Sequence, residues 1–342
     1  MRGLKPGNES WMTASHKVRR ALEEYDFFMA IYEGVSAKLM KEVVDAMETV
    51  FELPKETKLK NTCDNPDHGY IGLSDIRPNY ESLGFKDATN LDNVQHFENL
   101  MWPSGNNKYF SKTMHSYVSQ ISKLEKMVRN MVFESYGVEK YSESYNQSMC
   151  YNLKFSKYSK RDVSVHNSLA VRAHTDKTFI SILGQNHMNG LQVQMKDGEW
   201  VTIDYLPSSF VVNVGDAFMT WSNGRLKSPL HRVIATKEDR YSVLVFVFKR
   251  GIIEIPKELN DDEHPQQFKP FDHLAFSDNR SKDPNCLDER AIKMYCVQMH
   301  ILCFDSSMLS THLDAKDVDM LLMTTNKKKM PMTTFEQIQK LA

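Results

Sequence analysis

Arg172-Ala173-His174-Thr175-Asp176 is the stretch that decides how this chain folds and what it holds. An imidazole and a carboxylate stand two residues apart, and on an extended strand residues i and i+2 point to the same face. His174 and Asp176 are therefore placed to grip one metal ion together. A site needs a third donor. His231 supplies a candidate about 55 residues further on, in Ser228-Pro229-Leu230-His231-Arg232-Val233. Two histidines and one carboxylate on one face of a metal leave three positions open, the donor set of non-haem Fe(II) centres. A lone His-x-Asp is weak by itself, because an imidazole beside a carboxylate is more often a surface hydrogen-bonded pair.

The surroundings strengthen it. From Ser148 to Arg250 the apolar pattern has a period of two. It predicts strands over Met149 to Tyr158, Phe179 to Leu183, Leu191 to Met195, Trp200 to Ile203, Phe210 to Val214, Ala217 to Trp221, His231 to Ala235 and Tyr241 to Phe248. Lys196-Asp197-Gly198-Glu199 reads as a hairpin turn between two of them. Many short strands with Gly, Asn and Asp turns imply a closed double sheet. Arg240 and Ser242 share one face of the last strand, so a guanidinium and a hydroxyl can bind one carboxylate together. Ahead of the strands the period is helical. Val18, Leu22 and Tyr25 mark a helix from about Ala14 to Glu24, and Phe27 to Tyr32 is a short strand. Ser36 caps a helix carrying Leu39, Val43, Met47 and Val50, which Leu53-Pro54 ends. A long helix starts near Ser111, with a Met-rich stripe from Met114 to Tyr136, and stops at Gly137. The stripe reads as core packing. Gly69 to about Asn93 reads as mixed and turn-rich.

His174-x-Asp176, His231 and Arg240-x-Ser242 resemble the motifs of plant 2-oxoglutarate/Fe(II)-dependent dioxygenases. So does Ser222-Asn223-Gly224-Arg225 leading to Ser228 and His231-Arg232-Val233, and the resemblance runs from about Val18 to Val297. Glu81-Ser82-Leu83-Gly84 and Pro270-Phe271-Asp272 look most like the AOP-type branch, which includes glucosinolate side-chain oxygenases and is related to auxin-oxidising enzymes. The resemblance implies a mainly β fold with flanking helices around a double-stranded β-helix, or jelly-roll. It divides the chain into an N-terminal helical region packing on the core (1–147), the dioxygenase domain with its C-terminal helix (148–297) and an atypical tail (298–342). It makes His174, Asp176 and His231 the Fe(II) ligands. 2-Oxoglutarate is the co-substrate, with its far carboxylate on Arg240 and Ser242, and ascorbate supports activity. Tyr158 is a further 2-oxoglutarate ligand or simply a tyrosine at a strand end. Phe246 faces substrate or belongs to the core. Asn213, Gly215 and Asp216 shape a turn. The implied reaction is hydroxylation, desaturation or dealkylation of a small specialised plant metabolite, as 2-oxoglutarate becomes succinate and CO2. The second reading is a catalytically inactive jelly-roll binding protein. Relatives begin with a short strand ahead of the first helix, which this sequence starts after, and end soon after a motif like Met294-Tyr295-Cys296-Val297. The remaining residues show no core stripe and are expected to be dispensable.

Whole-chain properties agree. The 342 residues suffice for one large domain, and 41% apolar with 25% charged residues describes an ordinary globular protein. A formal net charge of −1 gives no global field toward nucleic acid or anionic membrane. No apolar run reaches the length of a membrane span, and Met1-Arg2-Gly3-Leu4-Lys5-Pro6 leads into no signal-peptide core. Arg2 excludes myristoylation at a second-position glycine. The expectation is a cytoplasmic monomer whose partners are a small-molecule substrate, O2 and 2-oxoglutarate. The five cysteines (Cys63, Cys150, Cys286, Cys296, Cys303) are odd in number with no C-x-x-C pair, so they read as free thiols. Cys296, His300 and Cys303 match no usual zinc spacing. His166, exposed His187 and outward-pointing Arg232 are expected to take no part in the chemistry.

Overall fold

Side-chain caps start the first helices of the chain. In the computed structural model, Asn8 opens α1 (Glu9–Tyr25) by accepting from the Trp11 N–H, and Ser36 opens α2 (Ala37–Phe51) by accepting from the Leu39 N–H. Between them lies β1 (Phe27–Ile31). There follow α3 (Lys55–Lys58), β2 (Tyr80–Phe85), α4 (Leu91–Met101), α5 (Phe110–Ser135), α6 (Ser142–Ser148) and β3 (Met149–Tyr158). Next come β4 (Leu169–His174), β5 (Ile180–Gln185), β6 (Leu191–Gln194), β7 (Trp200–Thr202), β8 (Ser209–Val214) and α7 (Asp216–Trp221). The chain continues through β9 (His231–Ile234), β10 (Arg240–Lys249), β11 (Ile252–Ile253), β12 (Phe271–Asp272), α8 (His273–Ser281) and α9 (Arg290–Ile301). The structure describes residues 6–63, 68–74, 77–105, 107, 109–160, 169–282 and 287–301. His166, Cys286, Cys303 and the tail beyond residue 301 lie outside them.

The strands form two antiparallel sheets. The six-stranded one has the order β1-β8-β5-β10-β3-β2, and the four-stranded one β4-β9-β6-β7. Strand parity assigns the side chains. On the outer face of the large sheet, Phe155, Ile182, Val212, Val243 and Val245 join Met114, Tyr117 and Ile121 of α5 in one core. On its inner face, Phe27, Tyr80, Tyr158, Leu183 and Val211 meet Leu191, Val193 and Val233 of the small sheet in a second core. Each side chain fully buried in these layers stabilises the fold by about 1.5–3 kcal/mol. Both edge strands of the large sheet, β1 and β2, come from the helical N-terminal region, so that region completes the sandwich as well as covering it. The Met-rich stripe of α5 is core as expected. It also carries a fully buried ion pair: Arg129 Nε donates to Glu125 Oε1 at 2.7 Å, and Tyr151 of β3 donates to Glu125 Oε2 at 2.8 Å.

One expectation requires correction. The predicted strand from Ala217 to Trp221 is the helix α7, buried at every residue. A short, continuously apolar run has no face to report, so its period does not separate strand from helix. Gly215 settles it locally: a Cβ there would lie 2.0 Å from the Thr178 carbonyl oxygen, and the chain turns into a helix against that loop. The stretch from Gly69 to Asn93 contains β2, buried at all six residues, and the start of α4. Strand parity puts Tyr80 and Ser82 on the inner face of the large sheet, beside Tyr158 and Ser156.

Asp26 links α1 to β1 in the left-handed conformation, φ 69°, with a buried Oδ1 that has no hydrogen-bond partner among the described residues. Burial pushes its carboxyl up to about 6, against the pull of Lys196 and Lys227. The folded state thus binds this proton more tightly than the unfolded state. Stability falls as pH rises from about 4 to about 6 and stays reduced above. Asp26→Asn, which keeps a residue tolerant of positive φ, is expected to be more stable than wild type by about 2 kcal/mol at pH 7 and no more stable near pH 3.5. Urea unfolding at the two pH values checks this; an equal gain at both would remove ionisation as the cause.

Candidate metal centre

β4 ends on His174 and β9 begins on His231, and the two residues face each other directly across the antiparallel pair. Their ring centroids are 4.3 Å apart. Each imidazole is tied through Nδ1 to the carbonyl two residues before it: His174 to Arg172 O at 2.8 Å, His231 to Pro229 O at 3.1 Å. Donation from Nδ1–H to a carbonyl fixes the neutral tautomer and leaves the Nε2 lone pair free for a metal. Burial, reinforced by His231 alongside, lowers the pKa of His174 to about 4, so the ring is neutral at neutral pH. The two Nε2 atoms lie 3.9 and 3.7 Å from the same oxygen, Asp176 Oδ1. One donor atom from each of the three residues falls within 4.8 Å of the others.

Asp176 reaches this point differently from the expectation of a shared strand face. The strand stops at His174. The next backbone groups leave the ladder: Thr175 N–H donates to Leu287 O at 2.8 Å, and Asp176 O accepts from Asp216 N–H at 2.7 Å. Asp176 is buried at 6% exposure, yet its Oδ2 has no hydrogen-bond partner among the described residues. A buried carboxylate left in that state is costly unless a cation satisfies it. Two imidazoles with Nε2 turned toward a shared carboxylate fit Fe(II).

A second polar group lies on the inner face of the large sheet. The register puts Tyr158 beside Arg240, and Ser156 and Gln185 on either side of Ser242. Arg240 is fully buried, stacks 4.8 Å above the Tyr158 ring, and donates from Nη2 to Gln185 Oε1 at 2.7 Å. The Tyr158 hydroxyl lies beside Ser242 and Arg240. Arg240 Nε and Nη1 and Ser242 Oγ make no well-formed hydrogen bond among the described residues. Gly190 lets the arginine lie there, since a Cβ would come within 3.0 Å of Arg240 Cδ. Burial works against the guanidinium charge and lowers its pKa. A buried cation with two unengaged donors beside a hydroxyl fits the far carboxylate of a dicarboxylic acid.

Phe246 lies four residues along β10 from Ser242, about 13 Å. It stands in one inward row with Asn152, Ser181 and, one strand further, Asn213. Thr178, two residues past Asp176, shares a 2.7 Å hydrogen bond with Ser181, so this row is at the level of the metal donors. Phe246 is only half-buried, as a wall of an open lumen would be. The sequence singled out Phe246 but not Asn152 or His68. Asn152 has the right parity on β3 and was legible from it. His68 reaches Asn152 at 3.2 Å from a distant loop, and no sequence signal announces that contact. His187 is exposed near Glu238, and Arg232 turns outward onto Gln192 and the Trp200 ring, both as expected. A cavity of about 270 Å³ opens between α2 and the loop before β8; none of the three metal donors lines it.

Residues 145–249 match the family model for the 2OG-Fe(II) oxygenase superfamily, and residues 2–105 that for the N-terminal part of non-haem dioxygenases in morphine synthesis. The chain is 41% identical over 280 residues to an Arabidopsis thaliana protein named "Probable 2-oxoglutarate-dependent dioxygenase AOP1.2", covering 80% of this chain and 86% of the relative. It is 29% identical over 357 residues to the same plant's "Probable inactive 2-oxoglutarate-dependent dioxygenase AOP2", covering 79% and 89%. Among solved structures, the dioxygenase for auxin oxidation 1 of Arabidopsis thaliana in its 2-oxoglutarate complex superposes with a TM-score of 0.70 at 30% identity, over 76% of this chain and 97% of that one.

Replacing any one of His174, Asp176 or His231 by Ala is expected to weaken metal binding by more than the 10-fold to roughly 100-fold that loss of an outer partner costs. The fold should persist, because the imidazoles bond only to backbone carbonyls nearby. Anaerobic Fe(II) titration beside circular dichroism measures both. Near-wild-type affinity in His231→Ala removes His231 from the ligand set.

Proposed function

The chain belongs to the 2-oxoglutarate/Fe(II) oxygenase superfamily, and on that premise we propose that it oxidises a small specialised plant metabolite by hydroxylation, desaturation or dealkylation, with 2-oxoglutarate converted to succinate and CO2. In this reading His174, Asp176 and His231 hold Fe(II), and Arg240 and Ser242, assisted by Tyr158, take the C5 carboxylate of 2-oxoglutarate. One observation carries it: two imidazoles locked with Nε2 toward a shared, under-satisfied Asp176 carboxylate, in the same lumen as a buried arginine with unengaged donors.

Fe(II) and 2-oxoglutarate, when bound, would supply the electrons that reduce O2, and O2 would be the oxidant for the substrate C–H bond. The protein's residues supply the rest. The Nδ1–H bonds to Arg172 O and Pro229 O orient the imidazoles. Arg240 would hold the far carboxylate of the co-substrate, and Leu183 and Leu244, apolar side chains of the inner core next to it, would exclude water. Phe246, at the level of the metal donors, forms a wall for substrate. Ascorbate supports activity by keeping the iron reduced. The working protein is a cytoplasmic monomer whose partners are the small molecule, O2 and 2-oxoglutarate, with no nucleic acid and no membrane. No helix among the described residues is long and apolar enough to cross a membrane.

The second reading, an inactive binding protein of the same fold, gains weight from the relative named as inactive. The complete donor set and the Arg240–Ser242 pair favour turnover. Incubating the protein with Fe(II), ascorbate, 2-oxoglutarate and fractionated plant metabolites tests the choice. Succinate formation tied to loss of one metabolite supports the oxygenase; its absence from every fraction, in a protein that binds both Fe(II) and 2-oxoglutarate, supports the binding protein.

Arg240→Ala is expected to weaken 2-oxoglutarate binding by about 2–5 kcal/mol, more than tenfold, because it strips a buried carboxylate of its charged partner. Fe(II) affinity measured without 2-oxoglutarate should hardly change. An unaltered 2-oxoglutarate dissociation constant would falsify the assignment of Arg240.

A further inference from the structure

Thr175, the residue between two of the metal donors, is held from outside the sandwich. Arg280, in the last turn of α8, donates from Nη2 to the Thr175 carbonyl at 2.9 Å and to its hydroxyl at 3.1 Å. Through Nη1 it pairs with Asp216 Oδ2. Asp216 opens α7, and its own N–H donates to the Asp176 carbonyl at 2.7 Å. The contacts close a ring: Arg280 to Thr175, along the chain to Asp176, across to Asp216 and back to Arg280. With Thr175 N–H bound to Leu287 O, the amide and carbonyl of Thr175 and the carbonyl of Asp176 are all engaged by groups outside the β4–β9 ladder.

The pair is buried, with side-chain exposures of 6% for Arg280 and 0% for Asp216. Buried ion pairs cost nearly as much in desolvation as they return, so stability alone is a weak reason for one here. Its aim is more specific. The strand ends at His174, and among the described residues no ladder hydrogen bond fixes where Asp176 goes. The guanidinium is planar and forked, so it meets the Asp216 carboxylate and the Thr175 oxygens at once, which a lysine ammonium cannot do in the same geometry. Arg280 also lies beyond residue 249, where the match to the superfamily model ends.

We propose that Arg280, backed by Asp216, is a positioning residue that sets the spacing of the His174 and Asp176 donor atoms before metal arrives. The proposal rests on the reading of His174, Asp176 and His231 as metal ligands. It makes α8 part of the metal site although none of the three candidate donor residues lies on it.

The test is Co(II) titration of the full-length protein under anaerobic conditions, followed by the visible absorption of the bound ion, with melting temperature measured on the same samples. Three proteins are compared: wild type, Arg280→Lys, and the double variant Arg280→Met with Asp216→Leu, which removes both buried charges and strands neither. Arg280→Lys is expected to melt near wild type and to bind Co(II) about 10–100-fold more weakly, the range for loss of an outer partner. The double variant should lose affinity to the same extent, with a melting temperature no lower than that of Arg280→Lys. Wild-type Co(II) affinity in a folded Arg280→Lys or double variant overturns the proposal and makes the pair structural only. If the double variant does not fold, Arg280→Lys alone decides. Absence of Co(II) binding by wild type overturns the metal-site reading itself, and the positioning role with it.

Discussion

The antiparallel pairing that sets His174 opposite His231 is the constraint on which the rest of the site depends. A strand's side chains alternate, so a slip of one residue would send one of the two imidazoles to the wrong face. β4 contains such a slip, placed to help. Val171 pairs with Val233 and packs in the inner core, yet three residues later His174 pairs with His231, two positions back on β9. The extra residue is a bulge. Strict alternation from Val171 would point His174 outward; the bulge returns it to the lumen beside its partner.

The large sheet separates two kinds of chemistry by the same alternation. Its outer face is apolar and closes against α5, while its inner face grades from Arg240 and Tyr158 through Leu183 and Leu244 to Asn152, Phe246 and Ser181. That order suits a dicarboxylic acid anchored at one end and a reaction at the other. It also explains why polar residues are tolerated inside. Each occupies a row that faces a neighbouring polar group or the lumen, and the apolar stabilisation comes from the opposite face of the same strands.

Outside the sandwich, two short helices take over where the ladder stops. α7 turns away at Gly215, where no side chain fits, and presents the Asp216 carboxylate; α8 returns Arg280 to meet it. The loop carrying Asp176 is therefore braced by three separated chain segments: residues 216, 280 and 287. Loops at functional sites are commonly the mobile part of a fold. Here the hydrogen bonds around Thr175 give the loop the rigidity that the sheet gives the histidines.

By itself the sequence determined the residue types of the site and the parity of the long strands. His174-x-Asp176, His231 and Arg240-x-Ser242 were legible because they are chemically unusual at those spacings, and Met149 to Tyr158 because ten residues of alternation have one solution. Tertiary structure alone decided what local pattern does not encode. Ala217 to Trp221 is buried on all sides, so its helix is set by the loop it packs against and not by a period. β2, six residues long with Glu81, Ser82 and Gly84 among them, does not stand out from the mixed, turn-rich stretch around it. The donation from Asp216 N–H to Asp176 O, the fork of Arg280 on Thr175, and the bulge that turns His174 inward join residues separated by 40 to 105 positions. Such contacts depend on where whole elements come to rest, and no short stretch of sequence records that.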